Sequence, residues 1–115
     1  MDTSCVFCKV GSGAFGTPFL HEDDAIVAFE DLNPQAPHHF LVIPRAHIGS
    51  LSATAEEHEA LLGRLLRVAA AVARARGIAD SGYRTVINTG VDGGQSVFHL
   101  HVHVLGGRPL AWPPG

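Results

Sequence analysis

The sequence predicts an α+β domain, and three observations carry that expectation. Short runs rich in β-branched and aromatic residues recur at 25–30, 40–43, 83–89 and 97–105, most of them bounded by Gly, Pro or Asp. One stretch keeps helical spacing over several turns, with Leu62, Leu65, Leu66, Ala69, Val72 and Ala73 on a common stripe. The links within the strand pairs are short enough for antiparallel pairing. At 115 residues with 46% hydrophobic content, the chain is long enough for one core and reads as a single domain, 1–115.

Each element has a local reason. Residues 1–21 form an N-terminal segment with Cys5 and Cys8 at C-x-x-C spacing, and residues 9–18, rich in Gly, Ser and Pro, read as irregular. The strands at 25–30 and 40–43 flank the turn-rich Asp31-Leu32-Asn33-Pro34-Gln35-Ala36-Pro37, and Pro44 closes the second. Thr54 followed by Glu57 has the form of a capping box, with Glu56 and Glu57 favourably placed in a helix's first turn. Gly77 is a natural stop for that helix. Gly90-Val91-Asp92-Gly93-Gly94 links the last two strands as a tight loop rich in exposed backbone. Residues 106–115 form a tail whose Trp112 is ill suited to free solvent.

Charge narrows the function. The net charge is −3 and no basic block is present, which disfavours binding to a nucleic-acid polymer but leaves a nucleotide-sized ligand open. The first residues lack the charged-then-apolar pattern of a signal peptide, and no uncharged apolar run reaches membrane-spanning length. A cytoplasmic protein with no membrane partner is the expectation. In such a chain Cys5 and Cys8 suggest metal or redox chemistry before a structural disulfide. Redox exchange would want the pair at a helix N-terminus, which this glycine-rich context does not offer.

The segment Gln95-Ser96-Val97-Phe98-His99-Leu100-His101-Val102-His103-Val104 carries the chemistry. Alternate side chains of a strand project to opposite faces, about 6.6 Å apart along each face. His99, His101 and His103 would line one face, and Phe98, Leu100, Val102 and Val104 the other. The apolar face suits a core, so the histidine face looks into a site, where imidazole serves as nucleophile, acid, base or metal ligand. The glycine loop just upstream offers backbone N–H groups to an anion such as phosphate, and Gln95 and Ser96 add side-chain donors. His38 and His39 open another strand, and one of them can face the same site. A metal centred on the three histidines is a rival reading, but residues 95–104 hold no carboxylate to complete a facial set. His21 and His58 read as solvated and idle.

This histidine segment resembles the His-x-His-x-His motif of the histidine triad (HIT) superfamily. The block from Asp31 to Pro44 resembles an earlier block of the same family, and Leu105-Gly106-Gly107-Arg108 through Trp112-Pro113-Pro114-Gly115 resembles the Hint branch, the purine nucleoside phosphoramidases. The similarity runs from about residue 22 onwards. It implies the HIT fold: an antiparallel sheet of about five strands, one long helix and a shorter helical segment, with two sheets joined in a homodimer. It also implies a hydrolase that cleaves purine nucleoside 5′-phosphoramidates through a nucleotidylated histidine, with an AMP- or GMP-type ligand. A dinucleoside polyphosphate hydrolase and a non-catalytic purine-nucleotide-binding regulatory protein are the alternatives.

By resemblance, His101 is the nucleophile, His103 contacts phosphate, His39 stands beside the nucleophile and Ser96 lies near the leaving group. Asp31 corresponds to a ribose-binding carboxylate, Leu32 to a base-pocket residue, and Asn88 and the Gly94-Gln95 backbone to phosphate contacts. A histidine at position 103 favours hydrolysis over nucleotidyl transfer. The segment Cys5-Val6-Phe7-Cys8-Lys9 resembles HIT proteins, many of them bacterial, that hold a structural zinc; its ligands there correspond to Cys5, Cys8, His47 and His99. Cys₂His₂ is a sound tetrahedral zinc set, and no metal is implied for the chemistry itself.

Overall fold

The computed structural model describes residues 4–115. Its elements are α1 (Val6–Gly11), β1 (His21–Glu22), β2 (Ile26–Glu30), β3 (His38–Pro44), α2 (Glu59–Ala75), β4 (Tyr83–Val86) and β5 (Val102–Gly106), with two 3-10 turns, Leu51–Ala53 and Glu56–His58, leading into α2. The strands pair antiparallel in one sheet of order β1-β2-β3-β5-β4. The expected class, sheet, long helix and shorter helical segment are all present.

Register divides the sheet into two faces with different work. β3 meets β2 with Phe40 opposite Glu30 and Val42 opposite Ala28, and meets β5 with Phe40 opposite Val104 and Val42 opposite Val102. Because side chains alternate, Ile26, Ala28, Phe40, Val42, Val102 and Val104 share one face, where α2 covers them with Leu65, Val68, Ala69, Val72 and Ala73. Each such large apolar side chain contributes about 1.5–3 kcal/mol by leaving water. Leu66, expected on the seam, is 47% exposed, and Val68 takes that place. Gly106 permits the closure: a Cβ there would lie 2.8 Å from Ile78 Cδ1. The opposite face carries Val27, Phe29, Leu41 and Ile43, packed against Val10 and, at the edges, Phe7 and Phe19. His39 is buried on that second face by the same alternation.

The termini of α2 differ in how well sequence anticipates them. Gly77, at φ +78°, makes a Schellman ending, with Ile78 N–H donating to Ala73 O at 3.1 Å and Gly77 N–H to Arg74 O at 3.1 Å. At the other end no capping box forms from Thr54 and Glu57. Thr54 Oγ1–H donates to Leu51 O at 2.7 Å, a 3-10 turn intervenes, and His58 Nδ1 accepts the Ala55 N–H at 2.9 Å. His58 is therefore a helix-entry brace, and His21, bonded to Asp23 Oδ2 at 2.7 Å, is likewise not idle.

Two further expectations change. The histidine strand was expected over 97–105 but starts at Val102, because the backbone before it bends away from β3 and Leu100 N–H donates to Ile48 O at 2.6 Å. Phe98 consequently stays 56% exposed while Leu100 enters the core. Residues 9–18 were expected to be irregular, but their first three residues continue α1, whose N-cap is Cys5, with Sγ accepting the Cys8 N–H at 3.3 Å. The glycine-rich context does place the cysteine pair at a helix N-terminus. Arg45 fastens this segment to the sheet, its guanidinium donating to Gly11 O and, at 2.8 Å, to Asp23 O.

Candidate active site

A cavity of about 570 Å³ opens on the second sheet face, within the size range of small-molecule sites. Val6, Phe7, Val10, Phe15 and Thr17 wall it on the α1 side. Phe29, Asp31, Leu32, Asn33 and Gln35 form another side, and His39, Leu41, Ser96, Val97, His101 and His103 complete it. The lining thus combines apolar and aromatic side chains with three imidazoles, the carboxylates of Glu30 and Asp31 and the hydroxyls of Thr17 and Ser96.

Hydrogen bonding fixes where each imidazole carries its proton. His101 Nδ1 lies 2.7 Å from the carbonyl of His99, which only accepts, so Nδ1 bears the proton and Nε2 keeps its lone pair. A neutral imidazole with a free Nε2 is a nucleophile. His39 Nδ1 accepts the Gln35 N–H at 3.0 Å, which puts the proton of neutral His39 on Nε2, 2.9 Å from His103 Nδ1. His103 Nδ1 is then an acceptor and its Nε2–H a donor. Burial, followed by the neighbouring His101 and His39, pulls the His103 pKa down to about 4, while Asp31 opposes the shift, so His103 is neutral at neutral pH. The His101 and His103 rings stand 4.9 Å apart between centroids.

Asp31 does two things. Its Oδ1 accepts the Asn33 N–H at 2.8 Å, an Asx turn that holds the loop after β2, and its Oδ2 lies 3.4 Å from His39 Nε2. Leu32, beside it, is fully exposed at the cavity rim. Ser96 also lines the cavity. Asn88, Gly94 and Gln95 do not line it. The Gly94 N–H donates to Val91 O and the Gln95 N–H to Gly90 O, both at 3.0 Å. The Gln95 side chain accepts from Gly90 N–H and donates to Gly49 O and Val97 O. The N–H groups of Gly90, Gly94 and Gln95 are thus spent within the loop, and the Gln95 side chain braces it from inside.

His99 points elsewhere. Its Nε2–H donates to Pro44 O at 2.8 Å, leaving the Nδ1 lone pair aimed at Cys5 Sγ (3.3 Å) and Cys8 Sγ (3.6 Å). His47 Nδ1 approaches Cys8 Sγ at 3.4 Å. The four donor atoms lie within 4.8 Å of one another, and no disulfide joins the cysteines. Burial lowers the His99 pKa, keeping the ring neutral as a metal ligand must be. Two thiols, two imidazole lone pairs and a carbonyl holding the far nitrogen of His99 suit a tetrahedral zinc. Cys5, Cys8, His47 and His99 would hold the ion, which would supply cross-linking of the N-terminal segment to the sheet.

The rival metal reading fails on the same chemistry. The three histidines of the motif do not converge, since His99 faces the cysteines. Asp31, His39 and His103 do come within 4.8 Å of one another. A metal on His39 Nε2, however, would force the proton onto Nδ1, against the Gln35 N–H.

Sequence reading did not anticipate Phe7, Val10, Phe15 and Phe29 as cavity walls. Phe7 stands edge-on to His101 at 5.1 Å and to Phe29 at 5.7 Å. The available signal was the i, i+3 apolar pair Phe7 and Val10 straddling Cys8, a one-turn amphipathic face.

Comparison with known proteins defines the class. Residues 4–109 match the family model described as the C-terminal binding domain of the scavenger mRNA decapping enzyme. The chain is 50% identical to a HIT-like protein of Synechococcus elongatus and 49% to one of Synechocystis, over the full length of each. It superposes on a HIT family hydrolase from Legionella pneumophila with TM-score 0.95 and 43% identity, covering 97% of this chain and 100% of that one. A histidine triad protein from Clostridium difficile gives TM-score 0.93 and 38% identity, with 96% of each chain covered. The chain belongs to the histidine triad superfamily. Within it, the Legionella pneumophila protein is described as a HIT family hydrolase. Among the described residues no helix is long and apolar enough to cross a membrane.

Proposed function

We propose that this protein hydrolyses purine nucleoside 5′-phosphoramidates through a nucleotidyl-histidine intermediate on His101. The observation that carries the reading is the 2.7 Å bond between His101 Nδ1 and the His99 carbonyl, which presents a neutral Nε2 to a cavity of nucleotide size. The apolar walls supplied by Phe7, Val10 and Phe29 suit a purine ring. Asp31, just past the end of β2, suits the ribose hydroxyls.

The reaction then runs in two displacements. His101 Nε2 attacks the α-phosphorus, the P–Nε2 bond forms, and the P–N bond to the amine breaks. The His103 Nε2–H donates to a phosphoryl oxygen on which charge builds, and the Ser96 hydroxyl, beside the leaving nitrogen, helps deliver the proton the amine takes. Water then attacks phosphorus and gives up a proton that restores the one delivered to the amine through Ser96, the P–Nε2 bond breaks, and the nucleoside monophosphate leaves with His101 neutral again. Splitting one hard displacement into two is what the covalent intermediate gains. His101→Ala should lower turnover by about three orders of magnitude or more while AMP affinity changes little. Turnover retained in that variant, with a model aminoacyl adenosine phosphoramidate as substrate, would show that His101 is not the nucleophile.

A further inference from the structure

We propose that the Cys₂His₂ cluster and the cavity form one coupled unit, in which zinc on the cluster and a purine nucleotide in the cavity each tighten the other, with His99 and Phe7 as positioning residues. The nucleotide half of this inference rests on the function proposed above; the imidazole half does not.

The two sites share parts. His99 belongs to both: its Nδ1 faces Cys5 and Cys8, while its own carbonyl takes the Nδ1–H of His101. The ring is fully buried and its Nε2 is tied to Pro44 O, so the residue cannot change its cluster contacts without disturbing the packed backbone that carries that carbonyl. Phe7 is the second link. It lies between the two cysteines in sequence, walls the cavity, and stands edge-on to His99 at 6.0 Å as well as to His101. Releasing the thiols would therefore loosen the α1 entry, one cavity wall and the orientation of His101 together.

Sulfur–nitrogen pairs in the cluster lie 3.3 to 3.6 Å apart, and in a zinc-stripped chain only thiol–imidazole hydrogen bonds, weak bonds from poor donors, would join them. Zinc replaces them by coordination, which is far stronger. Whichever ligand binds first orders α1 and the His99–His101 pair, and the second binds without that cost. Linkage makes the effect reciprocal, equal in fold-change from either side.

The test uses the full chain, zinc-loaded and stripped with a chelator, with a dispersed amide spectrum as the check on folding. Long-range ¹H–¹⁵N spectra of the imidazoles should show His101 locked with its proton on Nδ1 when zinc is present, and a tautomer mixture when it is absent. An unchanged His101 tautomer in stripped, folded protein overturns the inference. By calorimetry, AMP should bind about tenfold more weakly to the stripped chain, and saturating AMP should raise zinc affinity, measured against a chromophoric chelator, by about the same factor. Equal affinities overturn the coupling. Phe7→Leu keeps an apolar wall without the ring edge, and should keep zinc affinity in the absence of AMP yet lose most of the tenfold effect. Should stripping unfold the chain, His47→Ala removes only the exposed ligand; AMP affinity in that variant should then rise as zinc is titrated in, and a flat response overturns the inference. AMP that fails to bind the zinc-loaded protein overturns the purine reading and the nucleotide half with it, while the His101 tautomer still decides the rest.

Discussion

Backbone groups settle the proton positions of the histidines that matter here. A carbonyl holds His101, an amide N–H holds the far side of His39, and the Pro44 carbonyl turns the lone pair of His99 to the cysteines. The neutral state of His103 has a measurable consequence. An unfolded histidine takes up a proton near pH 6.5, whereas folded His103 resists until about pH 4. Below 6.5 the unfolded chain gains a proton the folded chain refuses, so this contribution to stability is complete above pH 6.5 and is lost as pH falls towards 4, by up to about 1.4 kcal/mol per pH unit. Urea unfolding at pH 7, 5.5 and 4.5 should give a steeper acid loss in the native chain than in His103→Gln; equal slopes would contradict the assignment. At this scale the family resemblance singled out His39, His101, His103, Ser96 and Asp31, and these five residues do line one cavity. Asn88, Gly94 and Gln95 lie outside the cavity lining, and the Gly94 and Gln95 N–H groups are spent within their loop, through hydrogen bonds that residue identity does not encode.

Elements were legible where their periodicity is long. α2 and the alternation of β5 follow from spacing that one core face enforces, and the continuous apolar runs of β2 and β3 from burial on both faces. α1, six residues long, has too few turns to declare a period, and β1 has only two residues. The early end of β5 pairing came from a tertiary bond, Leu100 N–H to Ile48 O, that no local pattern announces. Gly77 shows a local rule that did succeed: only a left-handed residue ends α2 in this way. Gly77→Ala should cost about 1 kcal/mol, since the penalty for a Cβ at φ +78° is of that order, read from the shift in denaturation midpoint at constant slope. A neutral effect would mean that α2 ends by some other device.

At the scale of the whole molecule, the sheet keeps the outer edge of β4 open, with β5 on its inner side, and Trp112 is 81% exposed. Unpaired edges and large exposed apolar side chains are what association covers. The homodimer expected from the family resemblance remains a prediction: light scattering at tens of micromolar should give the mass of two chains, and a monomer would contradict it. The central claim is chemical, and the most direct measurement is the intact mass of the protein after rapid acid-free quenching of a turning-over reaction with an adenosine phosphoramidate. The account predicts one added nucleoside monophosphoryl group, mapped to His101 and absent from His101→Ala. Full turnover with no such adduct, under conditions that preserve phosphorus–nitrogen bonds, would contradict it.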